Sequence, residues 1–229
     1  EPGYRGETHN NTGENWRNAN PLDYIKAIEA VTKAGGWVFR MGNPSMTPLP
    51  KMPQVIDYAI NEIRCDWMDI FLGATCKFLI GTGSGYYHIP GFFGVPCIMT
   101  NFPGFAPYYG MRSLDLYLPR WLKKIQTNKL VSFENYMSPP FSMLWSMKGF
   151  SDAGLDWVEN TPEELEAATK EMLERTNCDL PSIIPDNDLQ SRFKKLAETC
   201  GQKYGEHSVK AFASVSQDFL EKHGDLLEC

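Results

Sequence analysis

Residues 77–101, KFLIGTGSGYYHIPGFFGVPCIMTN, set a glycine-serine-glycine turn directly behind an apolar run that ends at Thr82. Gly83, Ser84 and Gly85 let the backbone turn tightly and leave amide N–H groups open at the start of a helical stretch. Such groups hold phosphate by hydrogen bonds, helped by the helix dipole. The carboxyl end of a buried strand is also where open α/β sheets bind ligands. Many G-x-G turns bind nothing, so the motif needs company. Arg40, closing the run WVFRMG, is one candidate. An arginine ending a buried strand must find a partner, because an unpaired buried charge is very costly. That partner is an aspartate (Asp57, Asp66 or Asp69) or a bound phosphate, which suits the guanidinium fork.

The first twenty residues, EPGYRGETHNNTGENWRNAN, bring Arg5, His9 and Arg17 in a polar, turn-rich loop. These side chains either line the same crevice or are simply solvated. His88 either touches phosphate or packs structurally. Phe105, Tyr108 and Tyr109 lie in FPGFAPYYG, ahead of Met111-Arg112. They either border the crevice, where a ring could stack on a base, or form an ordinary packed loop. Asp57, Asp66, Asp69 and His88 are the candidate general bases.

These residues need elements to hold them. Asn20 and Pro21 cap and start a helix whose stripe is Leu22, Ile25, Ala27, Ile28 and Val31, and Gly35-Gly36 ends it. WVFRMG, KFLIGT and PCIMTN read as buried strands, VIDYAI as a short strand or a helical turn, and Asp66 opens a helix through WMDIFLGATC. Strands alternating with helices predict an α/β fold, a Rossmann-like parallel sheet flanked by helices. LDLYLPRWLKK and KLVSFENYM are only weakly regular. Thr161-Pro162-Glu163-Glu164 is a strong helix start, for a helix to about Arg175. Further helices are predicted from Asp186 to about Cys200 and from about His207 to His223. The expected organisation is an N-terminal loop (1–20), an α/β binding domain (21–150) and C-terminal helices packed on it (151–229).

Composition narrows the classes. Lys and Arg total 22 against 28 Asp and Glu, a net charge of −6. Such a chain is poorly suited to wrapping nucleic acid or coating an anionic membrane. The longest apolar region, Ile89 to Met99, is broken by Pro90, Gly91, Gly94 and Pro96, far from the ~20 apolar residues of a membrane helix. The six cysteines (65, 76, 97, 178, 200 and 229) form no C-x-x-C pair, which leaves a zinc knuckle unsupported and favours reduced cytosolic thiols.

The segment TGSGYYHIPGFFGVPCIMTN resembles the donor site of GT-B glycosyltransferases of the heptosyltransferase-like branch. The matching features are Ser84-Gly85, His88, the short apolar stretch Ile89–Phe93 and Gly94-Val95-Pro96. RNANPLDYIKAIEAVTKAGGWVFRMG and DWMDIFLGATCKFLIGTGSG resemble more closely a bacterial glycosyltransferase family of surface-polysaccharide gene clusters. The likeness spans about residues 1–135. It implies the C-terminal, donor-binding half of a GT-B enzyme that needs no metal, and so a cytoplasmic protein, at most peripheral to the inner membrane. The diphosphate of a nucleotide sugar would lie over Gly83, Ser84 and Gly85, neutralised by Arg40, Arg17 and Arg5. His88, Asn101 and Tyr108 would line the donor site. No cofactor is implied. The partners would be the nucleotide sugar, a glycan or other hydroxyl acceptor, and an N-terminal domain of the same protein. In that family a strand with a His-x-Arg motif, related to the arginine motif of fucosyltransferase-like enzymes, precedes the region where this chain begins. We therefore expect a C-terminal part of a longer protein, with an open sheet edge that would favour pairing with a second copy. The competing expectation is a non-catalytic binding or subunit-interaction module.

Overall fold

The computed structural model describes residues 19–105, 111–144, 147–177, 187–204 and 213–227. The Asn20 side chain accepts from the Leu22 N–H and opens a 3-10 turn, Pro21–Tyr24, which leads into helix α1, Ile25–Lys33. Ala27, Ile28 and Ala30 form its buried stripe, and Gly35 ends the segment at a φ of +85°, open to glycine at little cost. Strand β1 (Val38–Phe39) pairs in parallel with β2 (Val55–Ile56). Helix α2 (Asp66–Thr75), strand β3 (Leu79–Gly81), the one-turn helix α3 (His88–Phe92) and strand β4 (Cys97–Pro103) follow. Strand β5 is Leu116–Lys124, and the short helices α4 (Phe133–Met137) and α5 (Met147–Asp152) lead to strand β6, Leu155–Val158. Helices α6 (Pro162–Arg175) and α7 (Asp188–Tyr204), strand β7 (Ser214–Val215) and helix α8 (Gln217–Lys222) close the order.

The fold is α/β, with a mostly parallel central sheet flanked by helices in a Rossmann-like arrangement. The larger sheet runs β3-β4-β5-β6, with β7 also on β5, and only β6 is antiparallel. WVFRMG does supply a strand, but that strand joins VIDYAI in a separate two-stranded sheet and not KFLIGT. LYLPRWLKK, weakly regular as a sequence, is the longest strand described and the hub of the sheet. Residues 151–227 do more than cover the sheet, since they supply β6 and β7. The predicted helix 207–223 is, within the described residues, β7 followed by the six-residue α8.

Pro119 sits inside β5 and has no N–H for a ladder. Opposite it β4 bulges by one residue between Thr100 and Phe102, and the extra residue, Asn101, takes a φ of +50°. On one face of β5, Phe105, Trp121, Phe133, Tyr136, Phe193 and Phe219 pack edge-on or tilted, with Trp121 and Phe133 centroids 4.5 Å apart. Phe105, from the aromatic loop, is therefore core. No described helix is long and apolar enough to cross a membrane.

The start of α6 closes as its sequence predicts. The Glu164 N–H donates to Thr161 Oγ1 and the Thr161 N–H donates back to Glu164 Oε2, at 3.2 and 2.9 Å. Tertiary structure adds Lys222 and His223, 2.6 and 3.4 Å from Glu164 Oε1. Burial alone would raise this carboxyl, but the bonds from His223, Lys222 and Thr161 outweigh it and hold its pKa at about 2. A folded value below the unfolded one adds stability above the ordinary carboxylate range, lost as pH falls towards 2. Acid titration of unfolding is expected to show a limb of about 3 kcal/mol between about pH 5 and pH 2, and Glu164→Gln to remove it.

Candidate functional site

The turn after β3 is open. Gly83 is half-buried, while Ser84, Gly85 and His88 are exposed. The Ser84 N–H is used locally, on the Thr82 carbonyl at 2.7 Å, and the Tyr87 N–H returns to the Ser84 carbonyl at 3.2 Å. The N–H groups of Gly85 and Tyr86 open the next helical turn and have no intrahelical acceptor there. A Cβ on Gly83 would lie 2.0 Å from the Phe102 ring, whereas one on Gly85 would meet nothing within 4 Å among the described residues. Gly83 is thus required by packing on β4, and Gly85 leaves free space above the backbone. Neither glycine uses a positive φ, so tight turning is not what demands them. α3 has five residues, so its dipole adds little to the two amides.

Arg40 lies elsewhere in its chemistry. Its Nη2 contacts Asp57 Oδ1, the residue after β2 and level with it across the ladder. Asp57 Oδ2 accepts from the Leu49 N–H at 2.8 Å. The charges touch without hydrogen-bond alignment, and Arg40 Nε and Nη1 are buried with no acceptor among the described residues. Of the three aspartates open to it, Arg40 has therefore taken Asp57. Asp66 is exposed on α2, and Asp69 has Arg64 3.8 Å away. A cleft of about 440 Å³, lined by Pro48–Lys51, Val55–Asp57, Ile60 and Asn61, runs along β2 beside this pair, and the Gly83–Gly85 turn takes no part in its walls.

Asn101 is committed to the fold. It is 1% exposed, and its N–H and Oδ1 exchange 2.7 Å bonds with the side-chain oxygen and N–H of Asn160. Its Nδ2 reaches Tyr24 Oη, which bonds Thr100 Oγ1 at 2.6 Å. Met111 and Arg112 lie not at the crevice but at the amino end of β4. There Arg112 donates to both Asp115 oxygens and the Gly91 carbonyl, while Asp115 accepts the Cys97 N–H. Arg5, His9, Arg17, Tyr108 and Tyr109 lie outside the described residues. Burial pushes the Cys97 thiol up to about 12 and Cys76 to about 11, unsuited to a thiolate nucleophile.

Sequence reasoning missed Arg120. It is fully buried level with the carboxyl end of β4, 2.6 Å from the half-exposed Glu159 and stacked over Trp157 at 5.1 Å. Nothing in LDLYLPRWLKK announces that an arginine between proline and tryptophan turns inward. The described residues hold no group of three or more His, Cys, Asp or Glu that could bind a metal.

Fold and site together define a Rossmann-like α/β domain with an open amide turn at the carboxyl end of a parallel strand. Comparison with protein-family models, curated proteins and solved structures finds no match.

Two stability experiments test this geometry. Asp57→Asn strands the Arg40 guanidinium and is expected to cost about 3 to 5 kcal/mol in urea unfolding, most of it recovered when Arg40→Met is added. Gly83→Ala is expected to cost about 1 to 3 kcal/mol by overpacking, and markedly less in a Phe102→Ala background, where the colliding ring is gone.

Proposed function

We propose that this chain is the donor-binding half of a glycosyltransferase that moves a sugar from a nucleotide donor to a hydroxyl of a surface glycan or related acceptor. The observation that carries the reading is the turn at Gly83, Ser84 and Gly85, at the carboxyl end of β3, where among the described residues the Gly85 and Tyr86 amides have no acceptor and nothing stands over Gly85. The donor diphosphate would lie there, accepting from the Gly85 and Tyr86 N–H groups, with His88 at its edge. As the glycosidic bond of the donor breaks, negative charge grows on the departing diphosphate. Fixed donors aimed at that charge lower the barrier. The reading also assigns Arg40 to the diphosphate, since two of its nitrogens have no acceptor among the described residues, while Asp57 offsets part of its charge. The acceptor hydroxyl needs a general base, which this reading places on an N-terminal domain of the same protein.

A second reading, a module that binds a glycan, a nucleotide or another subunit without turnover, is favoured by two observations. Arg40 is already held by Asp57. Helices α2 and α3, which pack together, expose Trp67, Phe71 and Phe92, the last 85% accessible, and Phe93, which caps α3, is exposed beside them.

Calorimetric titration with GDP, UDP, ADP and CMP tests the first reading. One nucleotide is expected to saturate. Gly85→Asp, whose side chain enters open space, is expected to unfold at the same temperature yet bind at least about tenfold more weakly, because its carboxylate meets the phosphate. A folded chain that binds none of the four, or a Gly85→Asp chain that binds as well as the parent, refutes the donor site.

A further inference from the structure

Helix α2 is apolar on two sides. Its inner side, Met68, Leu72 and Gly73, is half-buried or buried and meets α3, where a Cβ on Gly73 would stand 2.9 Å from Ile89 and 3.5 Å from Pro90. Its outer side carries Trp67, Ile70 and Phe71, all exposed, with Ile63 exposed just ahead of the helix. That spacing is a helical stripe, and on a free surface helix the outward stripe is polar. The Trp67 and Phe71 rings lie stacked, with centroids 5.1 Å apart and planes 11° from parallel. They form an ordered apolar plate, which has little rotamer freedom left to lose on binding. On α3, Phe92 and its C-cap Phe93 are exposed as well.

The exposed area is that of a protein interface. An aromatic side chain carries about 150–250 Å², so exposures of 65, 45, 85 and 58% for Trp67, Phe71, Phe92 and Phe93 leave roughly 500 Å² of aromatic surface in water. Ile63 and Ile70 widen it towards the roughly 800 Å² that each partner gives to a stable complex.

The charges at the two ends of the stripe select the occupant. Asp66 opens α2 and is exposed, and Asp69, one turn on, has Arg64 3.8 Å away, which leaves Asp66 without a cation among the described residues. Lys77 follows the other end of α2, exposed and with no carboxylate partner among the described residues. A two-fold axis running along α2 would set Asp66 on Asp66 and Lys77 on Lys77. A two-fold axis crossing α2 sets Asp66 of each copy towards Lys77 of the other, with the Trp67–Phe71 plate between them. It also opposes the two helix dipoles, so that each end faces its complement. An anionic membrane surface would instead meet the exposed carboxylates of Glu62 and Asp66.

We propose that this face joins two copies of the chain, α2 against α2, antiparallel across a two-fold axis. The aromatic stripes make the contact and two Asp66–Lys77 pairs close its ends. The rings supply the affinity, while the exposed ion pairs set the register. This names the partner in the subunit-binding reading above, and it stands on surface chemistry whether or not the Gly83–Gly85 turn takes a nucleotide.

Sedimentation of the 229-residue chain without nucleotide tests it, so its outcome is separate from that of the titration. A dimer with a Kd of about 1 μM or tighter is expected, the weak end for an interface of this size. Trp67→Glu, at a position open to water, is expected to keep the parent circular dichroism spectrum and to weaken the dimer by at least about 100-fold. Asp66→Lys and Lys77→Asp each set like charges together at both ends, and each is expected to weaken it about tenfold. An equimolar mixture of those two variants restores opposite charges at both ends, and is expected to regain the parent affinity to within about threefold. A chain that stays monomeric at about 100 μM, or a dimer that Trp67→Glu leaves unchanged, overturns the proposal. A mixture that recovers nothing overturns the antiparallel arrangement. A monomer that sediments with phosphatidylcholine vesicles, and loses them on Trp67→Glu, also overturns it, because the face then belongs to a lipid surface.

Discussion

Pro119 is the constraint around which the rest is arranged. It stands in the central strand β5 with no N–H to give, and β4 answers with a one-residue bulge at Asn101. The bulge leaves an Asn101 N–H without a ladder partner, and the Asn160 side chain supplies one, while its Nδ2 takes the Pro119 carbonyl at 2.9 Å. One asparagine thereby makes the bonds that a regular ladder would have made. Because Asn160 lies between β6 and the Thr161 cap of α6, the same repair fixes where α6 begins. Because Asn101 also reaches Tyr24, it fixes the entry to α1. Buried polar networks of this kind are costly when incomplete and specifying when complete.

The candidate site divides into an open part and a closed part. The Ser84-Gly85 part of the turn is exposed and the Gly85 and Tyr86 amides have no acceptor among the described residues, while Arg40 is nine-tenths buried and electrically engaged. Burying an arginine against one aspartate, with two of its nitrogens unbonded, is an expensive arrangement. It would be relieved by an acceptor arriving beside it, such as a phosphate oxygen. The glycines differ in the same manner. Gly83 exists because Phe102 leaves no room for a methyl group, whereas the space at Gly85 is open.

Local chemistry determined those parts of the fold that close within a few residues. α1 is bounded by Asn20-Pro21 and Gly35, α6 by the reciprocal Thr161–Glu164 cap, and β3 is a short apolar run ended by glycine, while β4 starts on the apolar run CIM and continues past Asn101 to Pro103. Each of those signals is a hydrogen bond or a burial preference that the segment satisfies largely by itself. The exposed Gly83–Gly85 turn was legible for the same reason.

What the sequence left open was every choice between distant partners. Arg40 had three aspartates, and only the β1–β2 register put Asp57 beside it. β5 showed no two-residue alternation because it is buried on both faces and interrupted by Pro119 and Arg120, so it became a strand through its neighbours β4, β6 and β7. Ser214-Val215 lay in a stretch of helical period and was captured by β5 instead. Asn101 read as a ligand residue until the bulge consumed its polar atoms. A side chain's type and spacing state what it could bond to, but which bond forms depends on what the folded chain brings within about 3 Å, and that is a property of the whole sheet.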